Sequence, residues 1–206
     1  MSGKTTRERI VDAADRLFYR QGYAHTSFTD IAGVVQISRG NFYHHFKTKD
    51  EILEAVIEFR LAKTQAMLER WEAEGRNPEE RIRHFIHILI ANWDDIKLYG
   101  CPVGTLSTEL AKLNHASQEE AKRVFTLFRI WLCRQFAALG HEAEADELAL
   151  HLLARSQGVA MLANAFHDRA FVAQEVNQMC DWVASYAQPA GGSGKRSGAA
   201  KRRKAK

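Results

Sequence analysis

Three times in the first fifty residues a hydroxyl side chain is followed, three positions later, by an acid: Thr5 with Glu8, Ser27 with Asp30, and Thr48 with Glu51. Such a pair closes a helix start from both sides. The hydroxyl accepts from the N–H of the third helical residue, and the carboxylate accepts from the N–H of the capping residue. Three starts so close together confine this segment to short helices joined by sharp turns. Beyond them, apolar residues recur at helical spacing almost throughout, and no alternating strand segment stands out. The three prolines, Pro78, Pro102 and Pro189, fall near breaks in that pattern. The expected fold is all-α, with an N-terminal three-helix bundle containing a helix-turn-helix and a larger helical domain behind it.

The first helix is expected over about Thr6 to Gln21, with Ile10, Ala14, Leu17 and Phe18 on one face and Gly22 as its stop. The second starts after Ser27 and turns Ile31 and Val34 inward. A third runs from Ser38 to about Phe46, and a fourth opens at Thr48 and runs toward Ala73. Longer helices follow over about Glu79–Leu98, Gln118–Ala138, 144–166 and 169–187, with a shorter one over Leu106–Leu113. The end of the chain, QPAGGSGKRSGAAKRRKAK, is too polar to fold alone. Three parts result: 1–50, 51–188 and a disordered basic tail, 189–206.

Charge divides along the same lines. Residues 1–50 carry eight Lys/Arg against five Asp/Glu, residues 51–188 fourteen against twenty, and residues 189–206 seven against none. A net charge of +4 therefore hides an acidic body with basic ends, which suits a polyanionic partner at the ends. No apolar run approaches the roughly 20 residues that span a bilayer, and the N-terminus lacks a secretory apolar core. No membrane partner is expected, and a cytoplasmic location is. Cys101, Cys133 and Cys180 are far apart and form no CxxC, which argues against a disulfide framework or a structural zinc site. His44 and His45 diverge by about 100° on a helix, so they make a poor metal pair. Neither metal nor cofactor is expected.

The chemistry concentrates in residues 27–49. The helix after Ser38 is aromatic and polar, without an acid before Asp50. Phe42 and Phe46, four apart, can pack inward and leave Arg39, Gly40, Asn41, Tyr43 and His44 outward. Arg39 can reach guanine and Asn41 adenine at the base edges. Ser27, Thr29 and Ser38 stand at helix starts, where hydroxyls and N–H groups suit a phosphate. Gly40 permits close approach to the backbone, Tyr43 and His44 are placed for phosphate or thymine-methyl contacts, and Lys49 is placed as a phosphate anchor.

The set Ala13-Ala14, Leu17-Phe18, Gly22-Tyr23, Thr26-Ser27, Ile31-Ala32, Ser38 to Phe46 and Lys49 resembles the TetR family of bacterial transcriptional regulators. The likeness is specific over residues 7–53 and becomes one of helix count and length past residue 60. It implies a homodimer whose two headpieces enter successive major grooves of a palindromic operator in double-stranded DNA. It also implies that 51–188 senses a small molecule and dimerises, so that a repressor leaves its operator when the effector binds. One position departs from the family: the turn before the recognition helix usually carries glycine, where this chain has Gln36.

For the body, the candidate effector lining is Phe85, Leu89, Trp93, Leu106, Phe125, Phe128, Trp131 and Met161, an apolar set suited to an aromatic or lipophilic molecule. The same stripe also describes an ordinary filled core. The last two helices are the expected dimer interface, with Leu148, Leu152, Gln157, Met161 and Ala165 on one and Val172, Val176, Met179, Val183 and Tyr186 on the other. Cys101, just before a helix start, is a candidate thiol sensor of oxidants or electrophiles, which gives an alternative trigger. Nothing resembling a nucleophile–base set or a phosphate loop supports an all-α enzyme or carrier, and no catalytic residue is assigned.

Overall fold

The computed structural model describes residues 3–187. The basic tail expected over 189–206 lies outside them. Ten α-helices follow one another: α1 (Thr6–Gln21), α2 (Phe28–Val35), α3 (Arg39–His45), α4 (Lys49–Glu74), α5 (Pro78–Ala91), α6 (Trp93–Tyr99), α7 (Pro102–Lys112), α8 (Gln118–Ala138), α9 (Ala145–Phe166) and α10 (Arg169–Ala187). No strand occurs among the described residues.

Two of the three expected capping boxes close fully. Thr5 accepts from the Glu8 N–H while Glu8 accepts from the Thr5 N–H, and Ser27 and Asp30 do the same. The third closes on one side. Thr48 accepts from the Glu51 N–H, but the Glu51 carboxylate takes the N–H of Lys47 instead, at 2.8 Å.

The turn between α2 and α3 is left-handed at Gln36, with φ 58° and ψ 49°. Ile37 N–H closes it on the Ala32 carbonyl at 3.2 Å. A side chain at that φ/ψ costs about 1 kcal/mol, because its Cβ crowds the following carbonyl. Inside α2, Val34 does not turn inward as expected; it is 51% exposed, and Val35 is buried in its place. With Ile31 and Ala32 both buried, the inner face centres near the direction of Val35, and at 100° per residue Val34 falls roughly a right angle away from it.

Two apolar clusters organise the chain. The first joins Ile10, Phe18, Ile31, Phe42 and Phe46 to Ile52, Leu53, Val56 and Ile57 at the start of α4, and takes in Leu106 and Leu110 from α7. The second lies among the far half of α4 and α5, α8, α9 and α10, around Ile86, Trp131, Phe136, Leu152 and Val176. α4 enters both and so serves as the shaft between them.

The single helix expected over Glu79–Leu98 is two. Asn92, at φ −104° and ψ 19°, ends α5, and α6 restarts at Trp93 in a new direction. That change lets Trp93 and Ile96 bury against the second cluster, with Asn164 of α9 donating to the Lys97 carbonyl at 3.1 Å. α7 begins earlier than expected, because Pro102 at its first turn needs no hydrogen-bond partner for its nitrogen. No helix among the described residues is long and apolar enough to cross a membrane.

Gln36→Gly is expected to raise stability by about 0.5–1 kcal/mol, because the exposed side chain makes no buried contact and glycine relieves the left-handed strain. Urea denaturation checks it; an unchanged or lowered midpoint contradicts the strain argument.

Candidate nucleic-acid interface

α3 is held from beneath and bare on top. Phe42 and Phe46 are buried, and Phe28 of α2 packs on Phe42 with ring centroids 5.1 Å apart. Arg39, Gly40, Asn41, Tyr43 and His44 are all exposed, Tyr43 at 45% with its ring edge against Phe28. No acid occurs in the first turn of α3, and its last turn carries two histidines. Arg39 donates to the Thr29 hydroxyl at 3.2 Å, which fixes the guanidinium over the α2 start. A Cβ at Gly40 would meet nothing within 4 Å, so the glycine is not demanded by packing and leaves the backbone open to close approach.

The capping serines are already engaged. Ser27 accepts from Asp30 N–H and donates to the Asp30 carboxylate at 2.7 Å, and Ser38 accepts from Asn41 N–H at 3.2 Å. Their side chains set helix direction, which leaves Asn41, Tyr43 and His44, with the hydrogen-bonded pair Arg39 and Thr29, as the outward set.

Lys49 makes contacts within the protein that its sequence expectation did not include. Its ammonium donates to the carbonyls of Tyr23 (2.9 Å), Thr26 (3.3 Å) and Ala24 (3.4 Å) and lies 4.2 Å from the Tyr23 ring centroid. These contacts tie the α1–α2 loop to α4 through Lys49, which remains partly exposed. Its neighbour Lys47 is exposed and reaches the Tyr43 carbonyl at the end of α3. Sequence reasoning missed Lys47; two lysines flanking one threonine gave no sign of which faces out.

Behind the headpiece, four polar ties bind it to the body. Arg60, buried in α4, donates through Nε to Asp15 of α1 at 2.6 Å and through a terminal nitrogen to the Pro102 carbonyl at 2.7 Å. The Tyr19 hydroxyl donates to the Gly100 carbonyl at 2.7 Å. Glu109 of α7 accepts from the N–H groups of Tyr23 (2.9 Å) and Ala24 (2.8 Å), just past the end of α1. Finally, the Tyr23 hydroxyl donates to Asp50 at 2.6 Å and lies 3.2 Å from His115 Nε2, while His115 Nδ1 accepts from the Ser117 N–H. Burial, and then the Asp50 partner, pushes the Tyr23 phenol well above its ordinary range. The same hydroxyl holds the Asp50 carboxyl below the usual carboxylate range. Asp15, Tyr19, Asp50, Arg60, Glu109 and His115 carried no sequence signal for these ties, because each tie to the distant segment spans 27 residues or more.

The apolar effector lining expected from the sequence separates. Phe85, Leu89, Trp93 and Trp131 are filled core of the body, Leu106 belongs to the headpiece cluster, and Phe125 packs half-buried on the body. Met161 is 67% exposed on α9 and lines no interior. An aromatic stripe at helical spacing is what a packed core needs, and here the facing helices fill it. Of the eight, Phe128 borders a cavity of about 370 Å³ lined from α1, α4, α5, α6, α7 and α8, and Leu106 borders a much smaller one. Cys101 caps α7, its sulfur accepting from Gly104 N–H at 3.4 Å. Cys180 is buried, and burial pushes its thiol up.

Comparison with known proteins agrees with this geometry. Residues 10–56 match the model of bacterial regulatory proteins of the tetR family, and residues 78–178 match the C-terminal domain of transcriptional regulators like LmrA/YxaF. The chain is 27% identical over 169 residues to an HTH-type transcriptional regulator in the lacX 3′ region of Lactococcus lactis, covering 80% of this chain and 86% of that one. It is 26% identical over 167 residues to the HTH-type transcriptional regulator YxaF of Bacillus subtilis, covering 80% and 87%. A TetR transcriptional regulator from Legionella pneumophila has a similar fold, with TM-score 0.79, 26% identity, and coverage of 88% and 98%.

Arg60→Met is expected to lower stability by about 3 kcal/mol, since it strands a half-buried carboxylate and a carbonyl. The double variant Arg60→Met/Asp15→Leu should recover most of that loss. Denaturation midpoints of the two check it; equal midpoints contradict the pairing.

Proposed function

The chain belongs to the TetR family of bacterial transcriptional regulators, and from that membership we propose how it reads DNA and how it is released. As a member it is a DNA-binding regulator of transcription and no enzyme, and it binds operator DNA. In our reading residues 1–50 form the DNA-binding headpiece and 51–188 the sensing and dimerising body. α3 enters the major groove, with Arg39 and Asn41 at base edges and Thr29, Tyr43, His44 and Lys47 at phosphates or thymine methyls. The capping serines and Gly40 shape the approach. The observation that carries this is the outer face of α3: exposed polar side chains without an acid, on a helix whose other face is fixed by Phe42 and Phe46.

Two copies are needed to read a palindrome, and the surface that supports pairing is the outer face of α9. Leu148 and Leu152 of α9, and Val172, Val176, Met179 and Val183 of α10, are buried in their own chain's core and are not the pairing stripe. Leu150, Ala154, Gly158, Met161 and Ala165 instead follow one another at helical spacing on the outside, with Phe166, 71% exposed, at the end. Small residues between large ones allow close approach of a symmetry-related helix, and the facing α9 and α10 pairs would form a four-helix bundle. The effector then acts by favouring a headpiece spacing that no longer matches successive grooves.

Alanine in place of Arg39, Asn41 and Tyr43 together should cost at least a hundredfold in affinity for the footprinted operator while the melting temperature holds, since each good base contact is worth about 1–3 kcal/mol. Unchanged affinity in the folded variant rules out this reading of α3. Met161→Glu with Phe166→Glu should convert a dimer in sedimentation equilibrium to a monomer and abolish the two-fold symmetry of the footprint; a persistent dimer places the interface elsewhere.

A further inference from the structure

The cavity of about 370 Å³ sits at the joint between headpiece and body, and its wall changes character from floor to mouth. Met67, Ile88, Val103 and Phe128 supply an apolar floor. Thr64 and Asn92 add a hydroxyl and an amide to the lining. Its mouth is charged: Arg16 of α1 and Lys63 of α4 are exposed there, and Asp95 of α6 stands with them. The volume falls at the small end of the roughly 300–1,000 Å³ typical of small-molecule sites.

The charges do not balance. Asp15 is neutralised by Arg60, so its carboxylate adds little field. Arg16 and Lys63 form no ion pair among the described residues, although the Lys63 ammonium lies 5.9 Å from the Phe59 ring centroid, which leaves two cations without a carboxylate partner against the one carboxylate of Asp95. An unpaired cation beside a low-dielectric wall acts on a ligand anion more strongly than one in open water. A neutral lipophilic molecule would leave both cations unused, and a cationic one would meet repulsion.

Resting on the regulator reading above, we propose that this junction cavity is the effector site and that it takes a small amphipathic carboxylate. The apolar end lies on Phe128, Met67, Ile88 and Val103, and the carboxylate faces Arg16 and Lys63. Arg60 stands behind them with its guanidinium shared between Asp15 and the Pro102 carbonyl. A second carboxylate at this place competes with Asp15 for Arg60 and so loosens the bond between α1 and α4. Binding is thereby coupled to the headpiece at the contact that positions it, and the coupling is reciprocal with DNA affinity.

Isothermal titration of the full chain without DNA tests the site, using 4-phenylbutyrate with 4-phenylbutyramide, 4-phenylbutylamine and acetate as comparison probes. The acid should bind, with the amide, the amine and acetate each at least tenfold weaker, which is about 1.4 kcal/mol for the charge or for the apolar end. Arg16→Gln/Lys63→Gln, both exposed and outside the core, should remove the preference for acid over amide while the melting temperature holds. Val103→Phe, which fills the floor, should weaken the acid at least tenfold. Absence of acid binding, equal binding of amide or acetate, or an intact preference in the double variant would each overturn the proposal. Footprinting of the operator without any probe reports separately on the regulator reading, so the two can fail independently.

Discussion

Arg60 is the point on which the arrangement of this molecule depends. It is a buried cation two-fifths of the way along the longest helix, and it holds α1 with one nitrogen and the start of α7 with another. A buried guanidinium cannot shed its charge, so its partners must stay where its fork places them. That requirement fixes the headpiece against α4 and fixes α7 against both. The apolar clusters on either side stabilise the two halves, but they are non-directional and would tolerate a rotation of one half on the other. The polar joint does not.

This division of labour suits a protein that must hold a recognition helix in one orientation and then surrender it. Tyr19, Tyr23, Asp50, Glu109 and His115 surround the same joint with directional bonds between groups far apart in the chain. Breaking a few of them leaves both apolar clusters intact. The halves can then change their relation without unfolding, because most of the directional contacts come from side chains outside the two clusters, Tyr23 being the one that is also a member of the headpiece cluster.

How much of this could be read from the residues depends on the range of the interaction. Thr5–Glu8 and Ser27–Asp30 act over three residues, so the helix starts and the outward face of α3 were legible to within a residue or so. Gln36 was legible too: a turn that needs a left-handed residue keeps that need whatever residue occupies it. Val34 was misread because a two-turn helix contains too few apolar positions to define its inner face. The internal contacts of Lys49 were not legible, because a lysine at a helix start looks the same in sequence whether or not it reaches the carbonyls of a preceding loop. Where the expected effector lining would lie was less legible still, for a stronger reason. Core and pocket use the same side chains, and whether a stripe is filled is decided by the opposite helices. The break at Asn92 had no glycine or proline to announce it, and beyond it Asn164 of α9 donates to the Lys97 carbonyl.

Gly22 closes α1 at φ +90°, and a Cβ there would come within 3.0 Å of a Glu109 carboxylate oxygen. The carboxylate that receives the loop's two N–H groups therefore occupies the space a side chain at 22 would take. A side chain at 22 would press on the end of Glu109, which would have to give by a few tenths of an ångström, and the positive φ would strain that side chain as well. The two positions, 87 apart in number, are therefore neighbours in space, and a change at either one bears on the joint between headpiece and body.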